Sequence, residues 1–158
     1  MSEDVACEKA ARFLAASLKT ENEVRQKLLK LGCEEDIIEK VINHFKDISY
    51  INDKEYVDAY IRQESKMKKY SIYEIINKLK IKGISGELLE YAKNVLENLN
   101  YEEEVIKKII DKKGKNEVDQ NKINAYLYRR GFRGGIWWIT VHQHHTIVHL
   151  LEILLILL

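Results

Sequence analysis

Hydrophobic residues along the chain recur every three or four positions, which is the spacing of one face of an α-helix. The clearest example runs from Asp119 to Phe132 (DQNKINAYLYRRGF), where a polar residue opens an apolar-periodic stretch and a glycine follows its end. The same outline occurs at residues 20–33 (TENEVRQKLLKLGC) and at residues 71–84 (SIYEIINKLKIKGI). The pattern predicts three copies of one short helix.

Each copy begins with a residue whose side-chain oxygen can accept a free backbone N–H at the helix start. In the first two copies a glutamate follows three positions later and completes a capping box, whereas the third copy has Lys122 there. Each copy ends at a glycine, which predicts a left-handed residue followed by an apolar residue that packs back on the helix. The predicted structural caps are Thr20 and Gly32, Ser71 and Gly83, and Asp119 and Gly131.

The spacing of the copies indicates a repeat protein. Their caps lie 51 and then 48 residues apart, and each copy is preceded by another helical pattern and, in the first two cases, followed by one. We therefore predict an all-α fold, with tandem three-helix repeats forming an elongated, curved array. The alternative is one irregular helical bundle with accidental similarity. The predicted segments are a first repeat at 4–47, a second at 52–98, an incomplete or altered third at 100–145, and a hydrophobic tail at 146–158.

Composition narrows the class of protein. The chain contains no proline, and 46% of its residues are hydrophobic and 32% charged, which is typical of a folded, soluble protein. Cys7 and Cys33 form neither a CxxC pair nor a disulfide framework. The start of the chain lacks the pattern of a signal peptide. We therefore expect a reducing, cytoplasmic location.

Residues 134–158 depart from the repeat pattern, since they contain one glutamate and no lysine or arginine. Three interpretations are open: a hydrophobic end that packs on the repeats or on a second subunit, an end that is not native coding sequence, and a membrane-seeking tail. The polar residues between positions 142 and 152 interrupt the run of about 20 apolar residues that a membrane span needs. Membrane insertion is therefore the least favoured interpretation.

The order and spacing of the motifs resemble the RecX family. The resemblance covers about residues 10–133 and is carried by Thr20–Gly32, YINDKEYVDAYI at 50–61, Ser71–Gly83 and LYRRGF at 127–132. It implies tandem three-helix repeats that bind the filament of RecA, the bacterial strand-exchange protein, on DNA. It also implies a non-enzymatic inhibitor that slows filament extension, ATP hydrolysis and strand exchange. The oligomeric state is left open.

The sequence contains no catalytic motif. A phosphate-binding GxxxxGK[ST] loop, a GxSxG elbow and an HExxH helix are all missing, so we expect no enzyme and no cofactor. His142, His145 and His149 would share one helical face. No cysteine or carboxylate at suitable spacing completes a tetrahedral zinc site there, and we predict no metal.

Basic residues indicate a binding surface. Residues 1–65 carry 10 basic and 14 acidic side chains, whereas residues 66–133 carry 16 and 10. If equivalent helix ends fall along one edge, their cations form a stripe that binds phosphates without reading bases. The competing interpretation is that cations near helix C-termini stabilise the helix dipole, and the resemblance favours the first. The predicted filament or DNA contacts are Lys66, Lys68, Lys69, Lys78, Lys80, Lys82, Arg129 and Arg130.

Three hypotheses about function follow. The first is a regulator of the RecA filament that also binds single- or double-stranded nucleic acid without sequence preference, and only weakly when alone. The second is a general sequence-independent DNA-binding protein. The third is a helical-repeat scaffold that binds only proteins. None of them involves a membrane.

Overall fold

Eight α-helices make up the part of the chain described by the computed structural model, residues 1–113 and 120–132. No strand occurs in these residues, and the predicted all-α class is confirmed. The predicted cap Asp119, the predicted histidine face (His142, His145 and His149) and the predicted tail at 146–158 lie outside the described residues. The helices are α1 (Glu3–Ala15), α2 (Glu21–Lys30), α3 (Glu35–Asp47), α4 (Asp53–Met67), α5 (Ile72–Ile81), α6 (Glu87–Asn98), α7 (Tyr101–Lys113) and α8 (Gln120–Arg129).

Helices α1, α2 and α3 pack around one hydrophobic core, because each carries an apolar stripe at helical spacing. Helices α1 to α3 lie between residues 3 and 47, and α4 to α6 lie between residues 53 and 98; the predicted repeat boundaries stay a prediction. The completion of the third repeat beyond α8 stays a prediction. The core of the first three helices consists of Ala6, Ala10, Leu14, Val24, Leu28, Cys33, Ile38, Val41, Ile42, Phe45 and Ile51.

Helices α2, α5 and α8 all end in the same way. Gly32, Gly83 and Gly131 follow these helices with φ angles of +77°, +88° and +76°, a left-handed conformation that glycine adopts without a Cβ clash. The residue after each glycine is buried and apolar, and its N–H donates to the carbonyl five positions earlier, as in a Schellman motif. These bonds join Cys33 to Leu28, Ile84 to Leu79 and Phe132 to Leu127, at 3.1, 3.0 and 3.1 Å.

Helices α2 and α5 also begin alike, each with a capping box. The Thr20 hydroxyl accepts from the N–H of Glu23 at 3.2 Å, and the N–H of Thr20 donates to the Glu23 carboxylate at 3.1 Å. In α5 the corresponding bonds between Ser71 and Glu74 measure 3.1 and 2.8 Å. Two backbone N–H groups at each helix start are thereby satisfied.

The described chain divides into two compact units. One consists of residues 1–67 and 75–95, and the other of residues 68–74 together with those from 96 onward. The division falls inside α5. The end of this helix therefore belongs with α1 to α4, and its start belongs with α7 and α8.

Replacing each helix-ending glycine with alanine separates backbone strain from crowding. An added Cβ in the left-handed conformation costs about 1 kcal/mol. At Gly32 it would meet nothing within 4 Å, whereas at Gly83 it would lie 2.2 Å from the Asn22 Cβ and at Gly131 2.8 Å from the Tyr73 ring. We expect Gly32→Ala to lower the free energy of unfolding by about 1 kcal/mol, and the other two variants to lower it by roughly 2–4 kcal/mol.

Urea denaturation followed by circular dichroism measures these losses. Equal losses in all three variants would mean that Asn22 and Tyr73 move aside without cost.

Candidate functional site

The eight predicted contact cations have different surroundings. Lys66, Lys69, Lys80 and Arg129 are exposed, and Lys78 is half-buried. The other three form ion pairs with carboxylates of their own compact unit. These pairs are Lys68 with Glu104 at 2.6 Å, Lys82 with Glu23 at 2.6 Å, and Arg130 with Glu74 at 2.5 Å.

A first joint connects the start of α2 to the end of α5 and the start of α4. The Thr20 hydroxyl, which accepts the capping bond from Glu23, donates its own proton to the carbonyl oxygen of Lys82 at 2.6 Å. The Glu23 carboxylate accepts from the Lys82 ammonium at 2.6 Å. The backbone N–H of Glu21 donates to the Asp53 carboxylate at 2.8 Å. These five residues are called the first joint below.

A second joint repeats these contacts between the start of α5, the end of α8 and the start of α7. The Ser71 hydroxyl donates to the carbonyl oxygen of Arg130 at 2.6 Å. The Glu74 carboxylate accepts from Arg130 Nε at 2.9 Å and Nη2 at 2.5 Å. The N–H of Ile72 donates to the Glu102 carboxylate at 2.8 Å. Ser71, Ile72, Glu74, Glu102 and Arg130 therefore form the second joint.

The hydroxyl at the centre of each joint has a dual role. Thr20 and Ser71 are fully buried, and a buried hydroxyl left without partners would be destabilising. A hydroxyl offers one proton and two lone pairs, so it can cap its own helix and also donate to a carbonyl of another helix. An ionised aspartate or an asparagine carbonyl oxygen can accept the capping bond but has no proton for the second bond.

Arg130 is more extensively bound than its counterpart in the first joint. Its guanidinium carbon lies 6.0, 5.6 and 5.5 Å from the ring centroids of Tyr70, Tyr126 and Phe132. Nη2 also donates to the carbonyl oxygen of Lys69 at 2.9 Å. A planar guanidinium can pair with two carboxylate oxygens and lie over aromatic rings, which an ammonium does less well.

Protonation of the joint carboxylates depends on the groups around them. Burial acts to raise the pKa of Glu74, but hydrogen bonds from Arg130 and from the backbone of Ser71, together with the guanidinium charge, outweigh it and lower the pKa. Burial raises the pKa of Asp53, and the bond from the N–H of Glu21 opposes this only in part. Glu74 is thus held ionised by its partners.

Sequence reasoning did not identify the acids that close the joints. Asp53 lies inside the motif at residues 50–61 that resembles the RecX family, but the pattern did not predict its bond to the start of α2. Glu102 was not predicted as a functional residue. Their signal is positional, because they lie 49 residues apart at the starts of two corresponding helices, α4 and α7. Lys82 and Arg130 were predicted as partner contacts, and in the structure both contribute to joints within the chain.

Two kinds of site can be assessed for residues 1–113 and 120–132. In this part of the chain, no three histidine, cysteine, aspartate or glutamate side chains are grouped so that they could hold a metal ion. Its helices are also too short or too polar to cross a bilayer.

Arg130→Lys tests whether the guanidinium geometry matters. We expect this variant to lower the free energy of unfolding by about 1–3 kcal/mol, because the paired bonds to Glu74 and the ring contacts are lost. The matched variant Lys82→Arg changes a cation whose side chain is 43% exposed, and should alter stability by no more than about 0.5 kcal/mol. Urea denaturation compares the two. If Arg130→Lys left the free energy of unfolding unchanged, the paired guanidinium bonds to Glu74 would contribute nothing to stability.

Glu74→Gln tests the pH dependence of the second joint. Since the folded pKa of Glu74 is held below its ordinary 4.5, the stabilisation is fully present above that value and is lost as pH falls through the lower folded pKa. The variant should be less stable by about 1–2 kcal/mol at neutral pH, and this deficit should shrink in acid. Glu104→Gln, which removes an exposed pair, is the control. A deficit that does not change with pH would contradict the assignment.

Several known proteins share this sequence pattern. Residues 6–45 match the family described as RecX, first three-helix domain. A protein named Regulatory protein RecX from Caldanaerobacter subterraneus subsp. tengcongensis is 29% identical over 123 residues, which cover 78% of this chain and 62% of that protein. A protein of the same name from Clostridium perfringens is 32% identical over 136 residues, which cover 80% of this chain and 61% of that protein. The chain spans about three fifths of the length of these relatives.

Solved structures share the fold. The crystal structure of RecX from Lactobacillus salivarius matches with a TM-score of 0.74 at 27% identity, over 92% of this chain and 97% of that one. A crystal structure of a regulatory protein RecX matches in fold with a TM-score of 0.75 at 18% identity, over 87% of this chain and 71% of that one. These likenesses cover most of the chain, and the chain belongs to the RecX family.

Proposed function

We propose that the protein is a regulatory binding protein that occupies the RecA–DNA filament and inhibits its extension, ATPase and strand exchange. The family assignment supports a regulatory role, because the relatives are named regulatory proteins. The choice of the RecA filament as partner rests on the motifs that resemble the family. Sequence-independent contact with DNA is part of the same proposal.

The observation that carries the proposal is a set of exposed cations. Lys66, Lys69, Lys80 and Arg129 are exposed, and within the described part of the chain none of them forms an ion pair with a carboxylate. Such side chains can neutralise phosphates or carboxylates of a partner without breaking an ion pair inside the protein. Lys69 alone would leave the face of a ring, that of Tyr70, whose centroid lies 5.2 Å from its Nζ. The cations that are already bound in the joints would have to give up a bond first.

These four residues favour backbone contact over base recognition. Three of the four are lysines, whose flexible side chains present point charges that attract phosphates but do not distinguish one base from another. Binding of this kind is sensitive to salt, because each phosphate contact releases condensed counterions. Several weak contacts in one molecule add through effective concentration, so a filament that repeats the same target is a suitable partner.

Inhibition by occupancy requires no chemistry from this protein. The sequence has no phosphate-binding loop, so in the proposal the ATP is bound and hydrolysed by RecA alone. The protein acts on the rate by lying where a filament subunit or a DNA strand must move. The relevant measurement is therefore the ATPase of RecA rather than that of the protein itself.

Reversing the four exposed charges tests the proposal. In a variant with Lys66, Lys69, Lys80 and Arg129 all changed to glutamate, we expect the concentration needed for half-inhibition of the RecA DNA-dependent ATPase to rise at least about tenfold. The logarithm of that concentration should also depend less steeply on the logarithm of salt concentration, by roughly 0.7 for each single-strand phosphate contact removed.

A control variant with the same change in charge isolates position from net charge. Lys9, Lys30, Lys107 and Lys112 are exposed on α1, α2 and α7, and their change to glutamate should leave half-inhibition within about twofold if contacts are local. If the unaltered protein leaves the ATPase unchanged in large excess at low salt, the filament is not its target. Equal affinity for bare duplex and RecA-coated DNA would instead favour a general DNA-binding protein.

A further inference from the structure

Two lysines lie around one aromatic ring in the first compact unit. Phe13 lies near the end of α1 and packs against the core of α1 to α3. Lys19 comes immediately before the capping residue of α2, and Lys27 lies in the last turn of α2. The Nζ atom of Lys19 lies 4.9 Å from the centroid of the Phe13 ring, and that of Lys27 lies 5.9 Å from it. One ring therefore holds two positive charges.

The first joint explains why Lys27 has no carboxylate partner. Glu23 lies one turn earlier in α2, at the spacing from which a glutamate can pair with a lysine. Its carboxylate is engaged instead by the N–H of Thr20 at 3.1 Å and by the ammonium of the first joint at 2.6 Å. Lys19 donates to the uncharged hydroxyl of Ser17. In the part of the chain that the structure describes, neither lysine forms an ion pair.

The surroundings of these lysines favour an anion from outside the protein. Two like charges near one ring repel each other, and an anion between them would replace this repulsion with attraction. Lys27 is exposed and Lys19 is half-buried, so a ligand can approach both. Leu18, which precedes Lys19 in the chain, is 47% exposed. The cations therefore have apolar surface beside them.

This combination of groups fits a single strand of nucleic acid. A backbone phosphate supplies the negative charge, which lysines bind as point charges. The bases of a single strand can lie on aromatic and apolar side chains, whereas the paired bases of a duplex present only their edges in the grooves. A carboxylate of an acidic protein would satisfy the lysines but would leave the apolar surface uncovered.

We propose that Phe13, Lys19 and Lys27 bind single-stranded nucleic acid, with both ammonium groups on a backbone phosphate and the adjacent base against the Phe13 ring and Leu18. The site uses none of the four exposed cations of the proposed function, and it extends the DNA contact to α1 and the end of α2. The inference rests on the DNA contact of the proposed function. Oligonucleotide binding is measured without RecA, so the two proposals can fail separately.

Removing both charges tests the site. In the full chain carrying Lys19→Gln and Lys27→Gln, we expect the dissociation constant for a fluorescein-labelled oligothymidylate to rise about threefold to tenfold at low salt. Fluorescence anisotropy measures this constant. Its logarithm should also depend less steeply on the logarithm of salt concentration, by roughly 0.7 for each phosphate contact removed.

A second variant tests the ring separately from the charges. Phe13→Leu keeps an apolar side chain against the core but removes the aromatic face. It should raise the dissociation constant for the single strand at least about threefold, and should leave that for a duplex unchanged. Circular dichroism verifies that each variant is folded, and Phe13→Met replaces Phe13→Leu if the latter is not.

The matched control changes two lysines of the other compact unit. Lys107→Gln with Lys112→Gln removes the same charge from exposed positions on α7, and should leave the dissociation constant within about twofold. Acetylation of lysines followed by mass spectrometry gives a local measurement. Bound oligothymidylate should protect Lys19 and Lys27 from acetylation more than it protects the two control lysines.

Several results would overturn the inference. The site does not exist if the natural chain fails to bind the oligothymidylate at low salt, or if the double glutamine variant binds it as tightly as the natural chain. Equal weakening by the control pair would show that only net charge matters. Competition by polyglutamate as strong as that by unlabelled oligothymidylate would assign the lysines to an acidic protein. Equal weakening of single-strand and duplex binding by Phe13→Leu would show that the ring does not select single strands.

One combination of results would separate this site from the proposed function. A natural chain that binds the oligothymidylate through Lys19 and Lys27, but leaves the ATPase of RecA unchanged, would support the site and contradict the proposed function.

Discussion

The stacking of helices in this protein depends on a hydroxyl group that forms two hydrogen bonds at once. Thr20 and Ser71 are buried, and each must cap its own helix while donating to a carbonyl at the end of another. That carbonyl belongs to a helix C-terminus, where backbone acceptors lack partners within the helix. One side chain therefore resolves the unsatisfied groups of two helix ends. Serine and threonine meet this requirement because each offers a donor and an acceptor from one small oxygen.

The joints explain why a chain of small helical units can be stable. A unit of about 40 residues is near the lower limit for a self-sufficient hydrophobic core, so bonds that join one group of helices to the next add needed stability. Helix α5 takes part in both joints, with its start in one compact unit and its end in the other. The glutamates add ion pairs of modest energy. They also favour a cationic helix end as the neighbour, because a carboxylate lies three positions after the cap in both joints.

Local features of the fold were predictable from the sequence, and long-range pairings were not. The capping boxes and glycine endings depend on residues within one helix and its flanks, so the positions of Thr20, Ser71, Gly32 and Gly83 carry enough information. The bond from Lys82 to Glu23 joins residues 59 positions apart, and a lysine at a helix C-terminus is equally consistent with the helix dipole. The repeat spacing could have indicated the pairing, since each cation before a glycine has a matching glutamate in the preceding copy.

Because some of the predicted contact cations are bound to carboxylates within the chain, the positive charge available to a partner is smaller than the sequence suggests. A run of six lysines from 66 to 82 suggests one strongly positive patch, but Lys68 and Lys82 are neutralised by carboxylates a few ångströms away. The field felt by a polyanion is then weaker than the sequence implies, since the fields of two close opposite charges largely cancel at distances greater than their separation. A moderate field favours a partner that offers many equivalent sites over a single short duplex. The filament of the proposed function, which repeats its surface along its length, would be a partner of this kind.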